Sequence, residues 1–224
     1  MSAIIAVALS YAIGSVPVAY LAGRFAGGID LREYGSGNAG ASNVWQSVSK
    51  WLTIPVGLAQ IAQGLASVLV ARAIDQGDGV LVAAGLAAVV AHNWNPWLGF
   101  SGGRGIGVAI GVLLGASLPA LGVFIVVSLA GVALKANPQA VGLGMGLAPL
   151  AAFAAGQSGA IVAGCALLAA ILAAKRLTAN GVPEAQYARP SVWWTRLVYD
   201  RDTRDRDAWV RRGLQREERE AQRT

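Results

Sequence analysis

The sequence predicts an all-α integral membrane protein of about seven transmembrane helices, one of them short, packed through small residues. Two observations lead there. Of 224 residues, 55% are apolar and only 13% charged, with a mean hydropathy of +0.52. A soluble domain usually carries about twice that charge fraction. The apolar residues also fall into long runs, roughly 2–25, 51–73, 79–99, 106–134, 139–155 and 159–174. The 29 glycines lie largely inside these runs, where they allow close helix–helix approach.

The first run has no basic segment ahead of it, so Met1 to Phe25 reads as a retained span rather than a cleaved signal. The second and third runs are each long enough to cross a hydrocarbon core, which takes about 20 helical residues. The run 106–134 is too long for one ordinary span. Ser117-Leu118-Pro119 interrupts it, and proline disfavours helix in the residue before it. Two short spans, about 105–116 and 119–134, are expected. Charge placement agrees with the split. With the 26–50 loop in the cytoplasm and the N-terminus outside, it puts Arg24, Arg32, Lys50, Arg104, Lys135, Lys175 and Arg176 on the inner side. Only Arg72 falls near an outer loop. Trp45, Trp51, Trp94 and Trp97 then sit at the inner membrane interface.

The chain divides into a multi-span domain, 1–182, and a charged cytoplasmic tail, 183–224. The first part holds eight Lys/Arg and four Asp/Glu; the tail holds ten Arg and eight acids. Trp193, Trp194, Leu197 and Val198, with Arg196 and Arg201 nearby, read as an interfacial helix on anionic lipid; a solvated charged helix with ion pairs is the alternative for 200–224. Cys165 is the sole cysteine and lies in an apolar run, so a small buried or lipid-facing residue is expected rather than a nucleophile.

Two polar loops carry the candidate chemistry. In Gly35-Ser36-Gly37-Asn38-Ala39-Gly40-Ala41-Ser42-Asn43, glycines free the backbone to present N–H groups, and Ser36, Asn38, Ser42 and Asn43 add side-chain donors. The run holds no acid, so a phosphate head group suits it; an ordinary glycine-rich turn is the alternative. Asp30, Arg32 and Glu33 beside it read as local ion pairs. In Gly102-Gly103-Arg104-Gly105, a helix start and a guanidinium offer phosphate donors, unless Arg104 only snorkels. His92, the sole histidine, is either an acid–base group or a hydrogen-bonded helix end. The membrane part has no second histidine, no cysteine cluster and no carboxylate pair, so neither a metal site nor a His–Asp catalytic pair is expected.

These loops, in this order, resemble those of the bacterial PlsY-type acyl-phosphate:glycerol-3-phosphate acyltransferases. The likeness runs through Tyr11-Ala12-Ile13-Gly14-Ser15-Val16-Pro17, Tyr20-Leu21, Gly28-Ile29-Asp30-Leu31-Arg32, Gly35 to Val44, His92, Pro96 and Gly102 to Gly105. The resemblance implies a seven-span fold in the inner membrane and a role in phospholipid synthesis. It implies acyl transfer from an acyl phosphate to glycerol 3-phosphate, without metal or cofactor. The partners implied are the lipid bilayer and a soluble enzyme that makes the acyl phosphate; no nucleic acid is involved. Ser36, Asn38 and Arg104 are the expected catalytic residues. Gly35, Gly37, Gly40, Ser42, Asn43, His92, Gly102, Gly103 and Gly105 are the expected substrate-binding residues.

The sequence departs from the family pattern at named positions. Ser42 stands for a threonine, Gln46 for an arginine, Arg104 for a lysine, and Gln60 and Gln63 for an acid and a lysine. The family's last motif is not recognisable; Lys175-Arg176 stands there, with Asn180 beyond. A head-group-binding or regulatory paralogue without turnover is the alternative function. A transporter is a third, but the halves show no convincing internal repeat.

Overall fold

The computed structural model describes residues 1–74, 77–179, 189–205 and 208–209. Among them every regular element is helical. The first apolar run forms α1 (Ser2–Ser15) and α2 (Val18–Gly27), which together make one stretch of 26 residues. Pro17 divides them, because the residue before a proline leaves the helical region: Val16 has ψ 115°. The carbonyls freed at this break are paired by side chains from elsewhere. Gln63 Nε2 donates to Ile13 O at 2.7 Å and Val16 O at 3.0 Å, and Asn95 Nδ2 donates to Ser15 O at 2.7 Å. Gln63, one of the two glutamines at the departures noted above, therefore serves the fold.

A short helix, α3 (Ala41–Ser47), lies between the first span and α4 (Thr53–Ile74). Next comes α5 (Asp78–Asn93), which stops six residues before the apolar run does. Trp94 leaves the helical region, and Pro96 starts a 3₁₀ turn, Pro96–Leu98, capped by Asn95 Oδ1 accepting from Trp97 N. The long run 106–134 divides as its sequence requires into α6 (Ile106–Ala116) and α7 (Leu118–Ala133). Ser117 is the N-cap of α7: its Oγ accepts from Ala120 N at 3.3 Å, and Pro119 sits in the first turn, where its missing N–H costs nothing. The last two long helices are α8 (Asn137–Ala154) and α9 (Gly159–Thr178). A final short helix, α10 (Val192–Tyr199), lies in the tail.

Among the described residues three helical stretches are long and apolar enough to cross a membrane, Ser2–Gly27, Thr53–Ile74 and Gly159–Thr178, with Ile106–Ala116 and Leu118–Ala133 as shorter apolar helices. The bundle packs as α1 on α4 and α5, α4 on α6, α5 on α9, and α7 on α8 with α8 on α9. One apolar cluster runs through it, built from Ala, Val and Leu with Phe124 and Met145. Cys165 belongs to that cluster and is buried.

Small residues set the spacing where α4 meets α6. A Cβ placed on Gly64 would lie 2.0 Å from Val108 O, and one on Gly111 would lie 1.9 Å from Ile61 O. Each glycine thus admits the other helix's backbone, which is what small-residue contacts provide in lipid. This contact also carries the first turn of α6, where the candidate loop ends. Gly111→Ala is expected to force the two helices apart and cost about 1–3 kcal/mol. A thermal unfolding scan of the detergent-solubilised protein checks this; a wild-type midpoint would mean the contact has slack.

Candidate active site

The first loop is built around one asparagine. Asn43 is fully buried, and Nδ2 donates to Leu31 O at 2.8 Å and Tyr34 O at 2.9 Å. Its Oδ1 accepts from Ser36 N at 3.2 Å and from Ser47 Oγ at 3.1 Å. Gly35 passes so close that a Cβ there would lie 2.4 Å from that oxygen, and its φ of 56° suits glycine. Leu31, Val44, Val56 and Ala19 form a second apolar cluster beneath the loop. Asn43 was expected in the pocket wall, but it holds the loop from behind. Gly35 and Gly37 likewise supply left-handed turns rather than wall. Their effect is to aim Ser36, Asn38 and Ser42 outward.

Asp30 and Arg32 form the expected local ion pair, with Arg32 Nη2 2.6 Å from Asp30 Oδ2. Arg32 also donates to Leu98 O at 3.4 Å and so ties this loop to the turn after α5. The Arg32 hydrogen bond holds the Asp30 carboxyl below its ordinary value.

The second loop doubles back over the end of α5. Gly102 N donates to Asn93 O and Gly103 N to His92 O, each at 3.2 Å. These two amides therefore satisfy carbonyls that the helix end would leave unpaired, and are not offered to a phosphate. The glycines are needed for the close crossing: a Cβ on Gly102 would lie 2.0 Å from His92 O, and one on Gly103 would lie 2.3 Å from His92 Nε2. Gly105, at φ 76°, then turns the chain into α6. Arg104 is left pointing across the hollow, with 13% of its side chain exposed.

The two loops share one hollow. A cavity of about 460 Å³ is lined by Asn38, Gly40, Ser42, His92, Arg104, Gly105, the first turn of α6, Gln60, Arg176 and Asp200, among others. A smaller hollow of about 150 Å³ adjoins it, lined by Ser36, Asn38, Ser42, Gln46, Arg104, Tyr199, Asp200 and Arg201. Ser36 and Arg104 thus face the same space, as the sequence reading required. Among the described residues, the buried polar atoms Asn38 Oδ1, Gln60 Nε2 and His92 Nδ1 in the wall of the larger cavity have no hydrogen-bond partner. Leaving such groups unmatched is costly, which fits a site made for a polar ligand. A trough of about 320 Å³, mostly apolar, borders the same cavity through Ile106, Val141, Leu172 and Arg176.

The sequence reading missed three charged groups at this end of the bundle. Lys175 and Arg176, which the sequence places only on the inner side and at the position of the unrecognised last motif, are buried at the end of α9. Lys175 Nζ donates to Asn93 O, and its ammonium stands 5.4 Å from the Trp94 ring centroid. Arg176 donates to Pro138 O at 2.8 Å and to Leu197 O at 2.9 Å. The signal was a basic pair within the last turn of an apolar helix, an expensive place for charge without a task. Asp200 is the third, 3.2 Å from Arg104 Nη1. Nothing in the tail's mixed charge distinguishes it from the other acids. The tail differs from expectation in one further respect. Trp193 and Trp194 are exposed, but Arg196 is fully buried against Asp202 at 2.6 Å instead of facing lipid head groups. Asn180 lies outside the described residues, as does most of 183–224.

Comparison with known proteins decides the family. The glycerol-3-phosphate acyltransferase family model matches residues 4–181. The chain belongs to that family. A glycerol-3-phosphate acyltransferase of Synechococcus sp. (strain CC9902) is 40% identical over 169 residues, covering 73% of this chain and 82% of the relative. Glycerol-3-phosphate acyltransferase 4 of Dehalococcoides mccartyi (strain CBDB1) is 33% identical over 220 residues and covers 93% of each chain. Among solved structures, the glycerol 3-phosphate form of PlsY (YgiH), an integral membrane glycerol 3-phosphate acyltransferase, superposes with a TM-score of 0.70 at 27% identity. It covers 83% of this chain and 97% of that one. The lysophosphatidic acid form gives 0.71, covering 79% and 88%. The PlsY-type fold and family expected from the loops are thereby established, and the membrane class with them.

The Asp30–Arg32 pair yields a pH test. A carboxyl whose folded pKa is depressed stabilises the fold above its unfolded pKa of about 3.9 and loses that contribution as pH falls through the folded value. Asp30→Asn is therefore expected to lower the unfolding midpoint at neutral pH, with the difference from wild type vanishing in strong acid. A difference that persists at the acid end would place the effect in packing instead of charge.

Proposed function

We propose that this acyltransferase moves a fatty acyl group from acyl phosphate to the 1-hydroxyl of glycerol 3-phosphate at the cytoplasmic face of the bacterial membrane. The observation that carries the reading is the convergence of Ser36, Asn38, Ser42 and Arg104 on a polar hollow that opens into the larger cavity and, through it, onto an apolar trough. One ligand with a phosphate head and an alkyl tail fits both. Names borne by the relatives support the acceptor: the solved PlsY is described with glycerol 3-phosphate and with lysophosphatidic acid.

The chemistry follows from the groups present. The acceptor hydroxyl oxygen attacks the acyl carbonyl carbon, the bond from that carbon to the phosphate oxygen breaks, and inorganic phosphate leaves. The hydroxyl proton passes to a phosphate oxygen. An acyl phosphate is already activated, so the protein's main task is to position the reactants and stabilise developing negative charge. Arg104 offers a planar donor pair to a phosphate. Ser36, Asn38 and Ser42 offer donors from the opposite wall, and the first turn of α6 adds the positive end of its dipole. His92 faces the cavity as a further donor. The alkyl chain lies along the trough beside Val141, Met145 and Leu172. A soluble enzyme delivers the acyl phosphate, and the N-terminus faces outward.

Turnover by the purified protein in nanodiscs, with acyl phosphate and glycerol 3-phosphate, tests the proposal. Arg104→Ala and Ser36→Ala are each expected to lower kcat/KM by about 10²–10³-fold, the scale for losing one charge-stabilising donor. Arg104→Lys keeps the charge but loses the fork, so its rate is expected between the two. Wild-type rates in both alanine variants would remove the site, and binding without product would favour a head-group-binding paralogue. Ala173→Phe narrows the trough and is expected to raise KM for long-chain donors at least about tenfold while sparing short ones, because each buried methylene contributes about 0.8 kcal/mol. Equal effects on both chain lengths would exclude the trough as the alkyl site.

A further inference from the structure

The family match ends at residue 181, yet the segment that follows walls the head-group cavity. The contacts that place it there are specific. Its helix α10 points its C-terminal end at the cations of the site. Arg176 Nη1 donates to Leu197 O at 2.9 Å, and Arg104 Nη2 donates to Asp200 O at 3.4 Å. The Asp200 carboxylate adds the ion pair to Arg104 Nη1 at 3.2 Å. The negative end of a helix dipole, two backbone carbonyls and a carboxylate thus converge on the two guanidiniums that line the cavity. Asp200 adopts φ 57°, a left-handed conformation that ends α10 and turns the chain.

The segment is anchored independently of that cavity. Arg196 is fully buried, its Nε 2.6 Å from Asp202 Oδ1, and its Nη1 donates to Leu177 O at 2.9 Å. Arg196 also stands 5.1 Å from the Trp193 ring centroid. This anchor holds α10 against the end of α9, while the Asp200 contact reaches forward into the site.

We propose that Asp200 and the C-terminal end of α10 form an internal anion that competes with the phosphate of the substrates for Arg104 and Arg176. The proposal rests on the reading of Arg104 as the phosphate-binding cation. In the closed arrangement the carboxylate takes the place beside Arg104 that a phosphate oxygen needs. An entering phosphate carries more charge and more acceptor oxygens than one carboxylate, so it displaces Asp200. The carboxylate is easily displaced because burial opposes its charge and pushes its pKa up, against the pull of Arg104 and Arg176. The segment therefore raises the substrate concentration at which the site fills. It also keeps the cations paired inside a low-dielectric wall when no substrate is bound.

Inorganic phosphate is the probe, titrated calorimetrically into the full-length protein in nanodiscs of neutral phosphatidylcholine. Asp200→Asn is the central variant, since asparagine tolerates a positive φ and leaves the backbone turn intact. It is expected to tighten phosphate binding by about three- to tenfold, the range for removing one partly buried competing charge. Arg196→Ala, which breaks the anchor outside the cavity, is expected to change affinity in the same direction. In turnover, Asp200→Asn is expected to lower KM for glycerol 3-phosphate. Unchanged or weaker phosphate binding in Asp200→Asn, or weaker binding in Arg196→Ala, overturns the proposal. A fall in kcat with a raised KM in Asp200→Asn also overturns it, because the carboxylate would then be serving the substrate. Binding is read without turnover: a wild type that binds phosphate but makes no product refutes the acyl-transfer reading and leaves the competition measurable.

Discussion

The structure depends on one constraint: backbone groups freed where helices break inside an apolar bundle must be paired from within. The helix breaks at Val16-Pro17 and after Asn93 meet this demand together. Gln63 takes Ile13 and Val16, Asn95 takes Ser15, and the amides of Gly102 and Gly103 take the end of α5. Lys175 adds its ammonium to Asn93 O. These bonds draw α1, α4, α5, α9 and the second loop to one end of the bundle. The site lies there because polar side chains are already gathered there.

A division of labour follows among residues that look alike in the sequence. Asn38 and Asn43 sit five positions apart in the same small-residue run. Asn43 spends its side-chain amide on its own loop, whereas Asn38 keeps an acceptor unmatched at the cavity wall. Gly102 and Gly103 spend their amides on α5, whereas Gly105 opens the first turn of α6 toward the hollow. A rigid backing layer holds a front layer whose polar atoms remain available. Preorganisation of this kind lets weak individual donors stabilise a charge that develops during reaction.

The placing of cations follows the same economy. Arg104, Lys175 and Arg176 stand near one another at the end of an apolar bundle, where like charges repel and burial is unfavourable. Each is met by carbonyl oxygens, an aromatic face or a carboxylate. The C-terminal segment supplies two of those partners, from Leu197 and Asp200. It thereby couples the charge balance of the cavity to the docking of α10.

Much of this was legible in the chain alone. Hydropathy marked the apolar helices, Ser117 and Pro119 marked the break between α6 and α7, and the two glycine-rich loops marked the polar end, because composition, proline geometry and glycine freedom act locally. Helix ends were less legible: α5 stops at Asn93 although the apolar run continues, since backbone geometry outweighs hydropathy at Trp94 and Pro96. Only the tertiary structure could separate Asn43 from Asn38, turn Gln63 into a cap for another helix, or bring Arg176 and Asp200 to the cavity. Those roles depend on which groups meet across as many as 96 positions of sequence, as Arg104 and Asp200 do. A residue's type and neighbours in the chain state what it can donate or accept; packing alone decides what it is given to bind.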